Sequence, residues 1–167
     1  LIRLSAGGMG QTLLAQSSWI ILIRNPAQFG SVLLTGYTLA LPIILFTILP
    51  AFGLSNAAGT LVGQNLGAHQ PGRAENSVWA TSMANMLFMG SIALWFILNP
   101  GYFIRLFIDD AEVIEAGKIC LRTISYGFVF YALGMVLVQA FNGAGDTLTP
   151  MKINVVSFWI IEIPLAY

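Results

Sequence analysis

The chain has 167 residues, of which 57% are apolar and only 8% are charged, and its mean hydropathy is +0.80. A soluble domain carries about 25% charged residues, so this composition excludes an ordinary soluble protein. Seven basic and seven acidic side chains give a net charge of zero, which argues against a nucleic-acid partner.

Five apolar runs, A to E, are long enough for helices that cross a bilayer core about 30 Å thick. They predict an all-α polytopic membrane protein, with residues 1–167 in a single membrane domain. The predicted spans lie at about 2–24, 31–66, 72–98, 110–142 and 150–167. Because the chain starts at Leu1 and run E is still apolar at Tyr167, we expect an internal fragment of a longer protein with span E truncated.

Span B contains Pro42 and Pro50. A proline inside a helix removes one backbone hydrogen bond and predicts a kink, which a membrane bundle tolerates where neighbouring groups satisfy the backbone. Kinked spans are frequent in transporters, where they reshape a cavity, and they also occur in receptors and membrane enzymes.

The second half of span B is rich in glycine over residues 53–75. A phosphate-binding loop is excluded because no lysine lies between residues 1 and 117 and the G-x-G-x-x-G pattern is missing. Small residues instead recur every fourth position, at Ser55, Gly59, Gly63 and Gly67. In a membrane such a row predicts close packing of helix backbones.

A polar row runs beside the small residues, about 100° around the helix, at Asn56, Thr60 and Gln64. Polar side chains at membrane depth avoid lipid. The row is therefore expected to face either packed protein or a water-filled cavity, and the sequence leaves both interpretations open.

The loops after spans C and D carry helix signals. Residues 102–108 predict a short interfacial helix, and Asp109 with Glu112 resembles a capping box. Before span E, Thr149 and Pro150 predict an N-cap and the first helical residue.

Glu162 is the most informative ionisable residue. It follows Pro150 by twelve residues, a rise of about 18 Å, which places it near or past the middle of the bilayer. A carboxylate there marks an ion or proton path or pairs with a buried cation. The alternatives are purely structural hydrogen bonds, or a span that begins before the membrane.

Two long motifs resemble the multidrug and toxic compound extrusion (MATE) transporters. They are GLSNAAGTLVGQNLGAHQPGRAENSVW at 53–79 and QAFNGAGDTLTP at 139–150, the latter followed by FWIIEIPLAY at 158–167. The resemblance covers essentially the whole chain and implies a helical bundle of twelve spans in two lobes of six. This chain matches the first five spans of the second lobe. The positive-inside rule does not orient it, but the resemblance implies that the loop with His69 and Arg73 is cytoplasmic.

The resemblance also implies a function. Members of the family move organic cations or drugs outward by alternating access, in exchange for sodium ions or protons, in the cell membrane, here the bacterial inner membrane. The implied partners are the first lobe of the same chain, small organic cations and the lipid bilayer. No enzyme activity, catalytic residue, metal or cofactor is implied beyond the coupling ion.

Some bacterial members place cation-binding carboxylates in the first and fourth spans of this lobe. The corresponding positions lie near Ala15 or Gln16 and near Tyr131, so neither acid is present. We therefore expect ion coupling mainly in the first lobe, with Glu162 as the candidate from this half. The residues proposed for a cavity that holds flat cations are Gln16, Trp19, Asn56, Thr60, Gln64, Tyr126, Tyr131 and Gln139.

Two other classes of protein stay open. A lipid-linked oligosaccharide flippase of the same superfamily would share the lobes, but it would carry basic residues in its cavity to meet phosphate. A membrane-embedded enzyme would need paired acids, a histidine cluster or a nucleophile with its base. One histidine, one cysteine and one glutamate at membrane depth do not assemble such a site.

Overall fold

The computed structural model describes residues 8–14, 16–17 and 30–166, and within these ranges the secondary structure is helical. The helices are α1 (Ser31–Gly67), α2 (Pro71–Leu98), α3 (Pro100–Arg105), α4 (Ala111–Ser125), α5 (Phe128–Gly143) and α6 (Leu148–Asn154), followed by a π-helical segment (Val155–Glu162) and α7 (Ile163–Ala166). Residues 8–14 and 16–17 are also helical, and we call them the N-terminal segment. The predicted all-α membrane fold is confirmed.

Spans B and C correspond to α1 and α2, the two described helices that are individually long and apolar enough to cross a membrane. Span D, predicted as one helix over 110–142, is instead α4 and α5, which meet at an angle of 49° and form a third span if they cross together. Span E is helical over residues 148–166 but changes to π-helical turns in its middle. Most of span A lies outside the described residues.

Helix α1 continues for 37 residues through both Pro42 and Pro50. A helix of this length is about 55 Å long, which exceeds the roughly 40–45 Å thickness of a bilayer with its headgroups. The helix therefore has to tilt or to extend beyond the membrane surface.

Helices α1, α2, α4 and α5 form most of the core. Helix α1 turns back into α2, and the Nδ2 of Asn65 donates to the Oγ of Ser77 at 3.1 Å across this hairpin. Helix α5 packs against both α1 and α2, and α4 packs against α1. The buried core side chains include Ala40, Ile44, Met89, Phe96, Ile104, Leu121, Phe128 and Ala132.

The outer surface of the bundle is apolar. Phe46 on α1 and Phe130 on α5 are 78% and 77% exposed, and Leu87 on α2 is 67% exposed. In water such a surface would be unfavourable, whereas in a bilayer it meets lipid tails. The exposed surface therefore fits a membrane protein.

Helices α1 and α5 end in the same way. The bonds of the two C-terminal turns are His69 N to Leu66 O, Gln70 N to Asn65 O, Gly145 N to Asn142 O and Asp146 N to Phe141 O. This is the Schellman pattern, in which one residue takes a positive φ. That residue is Gly145 after α5, at φ 85°, but His69 after α1, at φ 55°.

Two predicted helix starts were wrong by a few residues. The N-cap of α4 is Asp110 rather than Asp109, and its side chain accepts from the backbone N–H groups of Glu112 and Val113. Helix α6 begins at Leu148, before the predicted start at Thr149 and Pro150. The oxygens of a capping aspartate must reach the N–H groups two and three residues ahead, which decides between neighbouring acids only in three dimensions.

Candidate functional site

The glycine row of α1 packs against α5, as predicted. A Cβ added to Gly143 would lie 2.1 Å from the carbonyl oxygen of Gly59, and one added to Gly59 would lie 2.8 Å from the carbonyl oxygen of Gln139. Gly63 is next in the row, with the carbonyl oxygen of Gly143 at 3.2 Å from its added Cβ. The prediction was wrong for Gly67, where nothing lies within 4 Å. The close approach therefore covers about one turn of α1, from Gly59 to Gly63.

Beside this contact, four side-chain amides form a continuous series of hydrogen bonds, which we call the amide chain. The Nε2 of Gln11 donates to the Oδ1 of Asn142 at 3.1 Å and to the carbonyl oxygen of Thr147 at 2.8 Å. The Nδ2 of Asn142 donates to the Oε1 of Gln139 at 2.8 Å. The Nε2 of Gln139 donates in turn to the Oδ1 of Asn56. The N-terminal segment, α5 and α1 are thus joined at one end of the bundle.

The amide chain gives one of the three members of the polar row a contact with protein. Asn56 accepts a hydrogen bond from Gln139, but Asn56 is itself exposed, so the choice between packed protein and a cavity stays open. Thr60 is exposed, and its hydroxyl donates to the carbonyl of Asn56 in its own helix at 3.1 Å. Gln64 is exposed as well. These two side chains have the exposure that a cavity-lining role would require.

Among the described residues, Gln16, Tyr126 and Tyr131 make no hydrogen bond to the amide chain. Gln16 is exposed, and Trp19 lies outside the described residues. Tyr126 is 62% exposed in the turn between α4 and α5, and Tyr131 is 48% exposed on α5. Glu162 is the last residue of the π-helical segment. The contribution of these residues to binding stays a prediction.

Two members of the amide chain were absent from the predicted site. Gln11 is a single amide in a moderately apolar run, and it is 9% exposed. Asn142 follows Gln139 by three residues, which places both on one face of α5. A Gln-x-x-Asn pair at the end of an apolar span indicates hydrogen bonds between helices. It does not indicate which residues are the partners.

A buried amide also joins α2 to α5. Asn85 is fully buried, and its Nδ2 donates to the carbonyl oxygen of Ala132 at 3.1 Å. Within the described ranges, its Oδ1 and the hydroxyl of buried Ser82 have no hydrogen-bond partner. Asn85 thus adds a polar contact to the centre of an otherwise apolar interface.

The opposite end of the bundle carries charges, around an open cavity of about 720 Å³ that we call the basic cavity. The charged side chains that line it are Arg105, Lys118, Arg122 and Glu115, and Tyr102 and Tyr126 also border it. The Nζ of Lys118 lies 2.9 Å from the Oε2 of Glu115. The Nε of Arg122 donates to the carbonyl oxygen of Ile97 at 3.2 Å, in the last turn of α2. Three cations therefore surround one carboxylate.

Comparison with known proteins gives the context of these sites. A protein-family model described as MatE matches residues 9–167. A probable multidrug resistance protein NorM of Thermotoga maritima is 28% identical over 138 residues, covering 83% of this chain and 30% of that protein. A probable multidrug resistance protein YpnP of Bacillus subtilis is 26% identical, covering 82% of this chain and 31% of that protein.

A plant relative, Protein DETOXIFICATION 30 of Arabidopsis thaliana, is 22% identical and covers 87% of this chain and 29% of that protein. The chain thus spans about a third of the length of these curated relatives. The family model, by contrast, covers nearly all of the chain, including both Gln11 and the motif from Gln139 to Pro150. The chain therefore belongs to the MatE family of multidrug and toxic compound extrusion transporters.

Proposed function

We propose that this chain forms most of one lobe of a multi-pass cell-membrane transporter that exports organic cations or drugs by antiport with sodium ions or protons. The observation that carries the proposal is the family match over residues 9–167, in a chain folded as an apolar helical bundle. The relatives in bacteria are named as multidrug resistance proteins, which agrees with export of toxic compounds. The other lobe, the bilayer and the cationic substrate would be its partners.

The amide chain suggests how such a lobe moves. Alternating access in two-lobed transporters is largely a rigid-body rocking of one bundle against the other. Hydrogen bonds from Gln11 through Asn142 and Gln139 to Asn56 tie three helical elements together at one end. The close approach of Gly59 and Gly143 supports the same contact through the backbone. We infer that this end moves as a unit.

Substrate contact is assigned to exposed polar and aromatic side chains. Thr60, Gln64 and Tyr131 are exposed, and they project from helices that the amide chain holds in register. An aromatic face binds a flat cation by cation–π attraction, which contributes about 0.5–2 kcal/mol depending on desolvation. Their replacement by alanine is expected to raise the KM for cationic substrates more than it lowers expression.

Ion coupling is assigned to the other lobe, with Glu162 as the contribution of this one. Replacement of Glu162 by glutamine keeps the size of the side chain and removes its charge. In the full-length protein we expect Glu162→Gln to change the dependence of transport on pH or on sodium. Unchanged dependence on both would remove Glu162 from the coupling path without touching the efflux proposal.

The flippase alternative depends on basic residues inside the spans. The structure places Arg105, Lys118 and Arg122 around a cavity at the end of the bundle, level with or beyond the end of α2. Among the described residues these three cations lie at one end of the bundle, which is the reason we favour efflux over the flippase alternative. The family consists of transporters, and the chain is not an enzyme.

The decisive experiment is transport by the full-length protein in vesicles with sodium and proton gradients imposed separately. We expect accumulation of a fluorescent organic cation to depend on one of the two gradients. If the rate of cation movement depended on neither gradient, the antiport proposal would be overturned. Movement of a lipid-linked sugar in place of the cation would establish the flippase alternative.

A further inference from the structure

The basic cavity lies at the depth of lipid headgroups. Helix α2 has 28 residues and is therefore about 42 Å long, which matches the roughly 40–45 Å thickness of a bilayer with both headgroup regions. The hydrogen bond from Arg122 to Ile97 places the guanidinium beside the last turn of this helix. A cavity at that level borders the headgroup region of one leaflet.

Two guanidinium groups at this cavity retain unused donors. Arg105 makes no hydrogen bond or ion pair with any residue that the structure describes, and Arg122 uses only its Nε for Ile97. Lys118 is already paired with Glu115. Arg105 also lines a smaller adjoining cavity of about 510 Å³ together with the acids Asp109 and Glu115, whereas Arg122 does not line it. The side of the basic cavity at Arg122 therefore offers the most favourable position for an anion.

The fork of N–H donors on a guanidinium group matches the oxygens of a phosphate, and a phosphate accepts two such bonds at once. Lysine beside it adds charge without that geometry. The donor set of the basic cavity is thus of the kind that binds phosphate.

Exposed apolar side chains next to the cavity indicate where the phosphate comes from. Tyr102, Leu106 and Phe107, in and just after α3, are 62%, 66% and 61% exposed. Aromatic and aliphatic side chains beside cations are typical of segments that lie in the membrane interface. A dissolved anion would not contact this apolar surface, whereas the acyl chains of a lipid would.

We propose that the basic cavity binds the phosphate group of an anionic phospholipid, with its acyl chains against Tyr102, Leu106 and Phe107. The inference depends on insertion of the chain in a membrane and does not depend on the transport activity proposed above. Loss of lipid binding and loss of efflux are therefore separate outcomes.

Native mass spectrometry of the full-length protein in neutral detergent tests the proposal, with phosphatidylglycerol and phosphatidylcholine as probes. We expect phosphatidylglycerol to bind more tightly than phosphatidylcholine. Each of Arg105→Gln and Arg122→Gln should weaken phosphatidylglycerol binding by about fivefold, and the double variant by about 25-fold. The affinity of Arg122→Lys for phosphatidylglycerol should lie between those of wild type and Arg122→Gln, because lysine keeps the charge and lacks the forked N–H donors of the guanidinium group.

A matched control removes two cations from the other end of the bundle. Arg73 and Lys152 are both exposed there, and Arg73→Gln with Lys152→Gln should leave phosphatidylglycerol binding unchanged. An equal loss in this control, or undiminished binding in the Arg105 and Arg122 double variant, would overturn the proposal.

Two further arms complete the test. Arg105→Gln removes no hydrogen bond to the described part of the chain, and an unfolding temperature equal to that of wild type should accompany its loss of binding. Inorganic phosphate should not displace phosphatidylglycerol at the same concentration. Displacement by phosphate alone would show that the cavity takes an aqueous anion, and the assignment to a lipid would be wrong.

Discussion

The amide chain and the basic cavity lie at opposite ends of one bundle, and they differ in how their polar groups are satisfied. At the first end, uncharged amides bond to each other, and two helix backbones meet at Gly59 and Gly143. At the second end, Arg105 and Arg122 keep donors that the described protein does not use. The first arrangement suits a rigid contact between helices, and the second suits a surface that meets other molecules.

The physical reason for the difference is the solvent. Away from water a polar group without a partner costs several kcal/mol, which favours the hydrogen bonds among the four side chains of the amide chain. At the headgroup level, water and phosphate groups satisfy a guanidinium without help from protein. The comparison therefore predicts that substitutions at the amide end change stability most, and substitutions at the basic end change binding most.

The largest loss of stability is expected from Gly143→Ala. Its Cβ would meet the backbone of Gly59, with atoms at 2.1 and 2.8 Å, and a helix backbone cannot move aside as a flexible side chain does. We expect a destabilisation of about 1–3 kcal/mol, measured by unfolding of the full-length protein in detergent and SDS.

Gly134→Ala is the matched control for this prediction. Gly134 lies on the same helix, and nothing comes within 4 Å of its added Cβ. The control should be neutral or slightly stabilising, because alanine favours helix over glycine by about 0.5–1 kcal/mol. Equal losses for the two variants would contradict the close approach of α1 and α5.

A smaller effect is expected for the link between Asn56 and Gln139. A double-mutant cycle with Asn56→Leu and Gln139→Leu should give a coupling energy between about 0.6 and 1.7 kcal/mol, the average and the largest values for hydrogen bonds between membrane helices. Gln64→Leu serves as the control, because Gln64 lies about two turns further along the same row of α1 and is exposed. Coupling between Gln64 and Gln139 as large as that of Asn56 would show that the amide chain is not specific.

The two Schellman turns at the amide end predict effects of opposite sign. Gly145→Ala forces a side chain into a positive φ of 85° and should cost about 1 kcal/mol. His69→Gly relieves the same conformation at φ 55° and should stabilise the protein by up to about 1 kcal/mol. Thermal unfolding of both variants and of wild type measures the two changes in stability. A loss of stability in His69→Gly would contradict this prediction and would indicate that the histidine has a role beyond the turn.

The smallest effect is a dependence on pH at the start of α6. A hydrogen bond from the Thr149 hydroxyl at 2.5 Å, with backbone N–H groups of Thr149 and Leu148, holds the pKa of Asp146 below its ordinary value. The carboxylate therefore stabilises the fold above the ordinary aspartate pKa of about 3.9, and this contribution is lost as the pH falls through the lowered pKa. Asp146→Asn should be less stable than wild type at pH 7, and the difference should shrink with acidification.

A difference in stability between Asp146→Asn and wild type that stays constant from pH 7 to pH 3 would contradict the assignment of this stabilisation to the Asp146 carboxylate.

Much of the fold follows from residues that the sequence displays. The apolar runs predicted α1 and α2 nearly to the residue, because a span of that length and composition has no stable alternative in lipid. The break of span D at Tyr126 and Gly127 was not predicted, since the run is uninterrupted in composition and the bend depends on packing of α4 against α1. The side chains that cap α4 and α6 are Asp110 and Asp146, whereas the predicted caps were Asp109 and Thr149, and the reason is again that capping depends on three-dimensional reach.

The candidate site was less predictable. Spacing identified Asn56 as a polar group on the face beside the glycine row, but its partner Gln139 lies 83 positions away. Gln11 and Asn142 were missed because a single amide in an apolar run does not indicate which helix it faces. The basic cavity is lined by Arg105 on α3 and by Lys118 and Arg122 on α4. Their proximity depends on the chain between the two helices, which no local sequence pattern predicts.

By itself, the sequence determined that the chain is helical, that it lies in a membrane and that its glycine row packs against another helix. These properties depend on length, polarity and local spacing, because these determine the free energy of transfer of a helix into a bilayer and its packing there. Only the tertiary structure decided which amides meet, which helix end carries the unused guanidinium donors, and where span D bends. Those outcomes depend on contacts between residues distant in the chain, whose energies are individually small and are decided by packing as a whole.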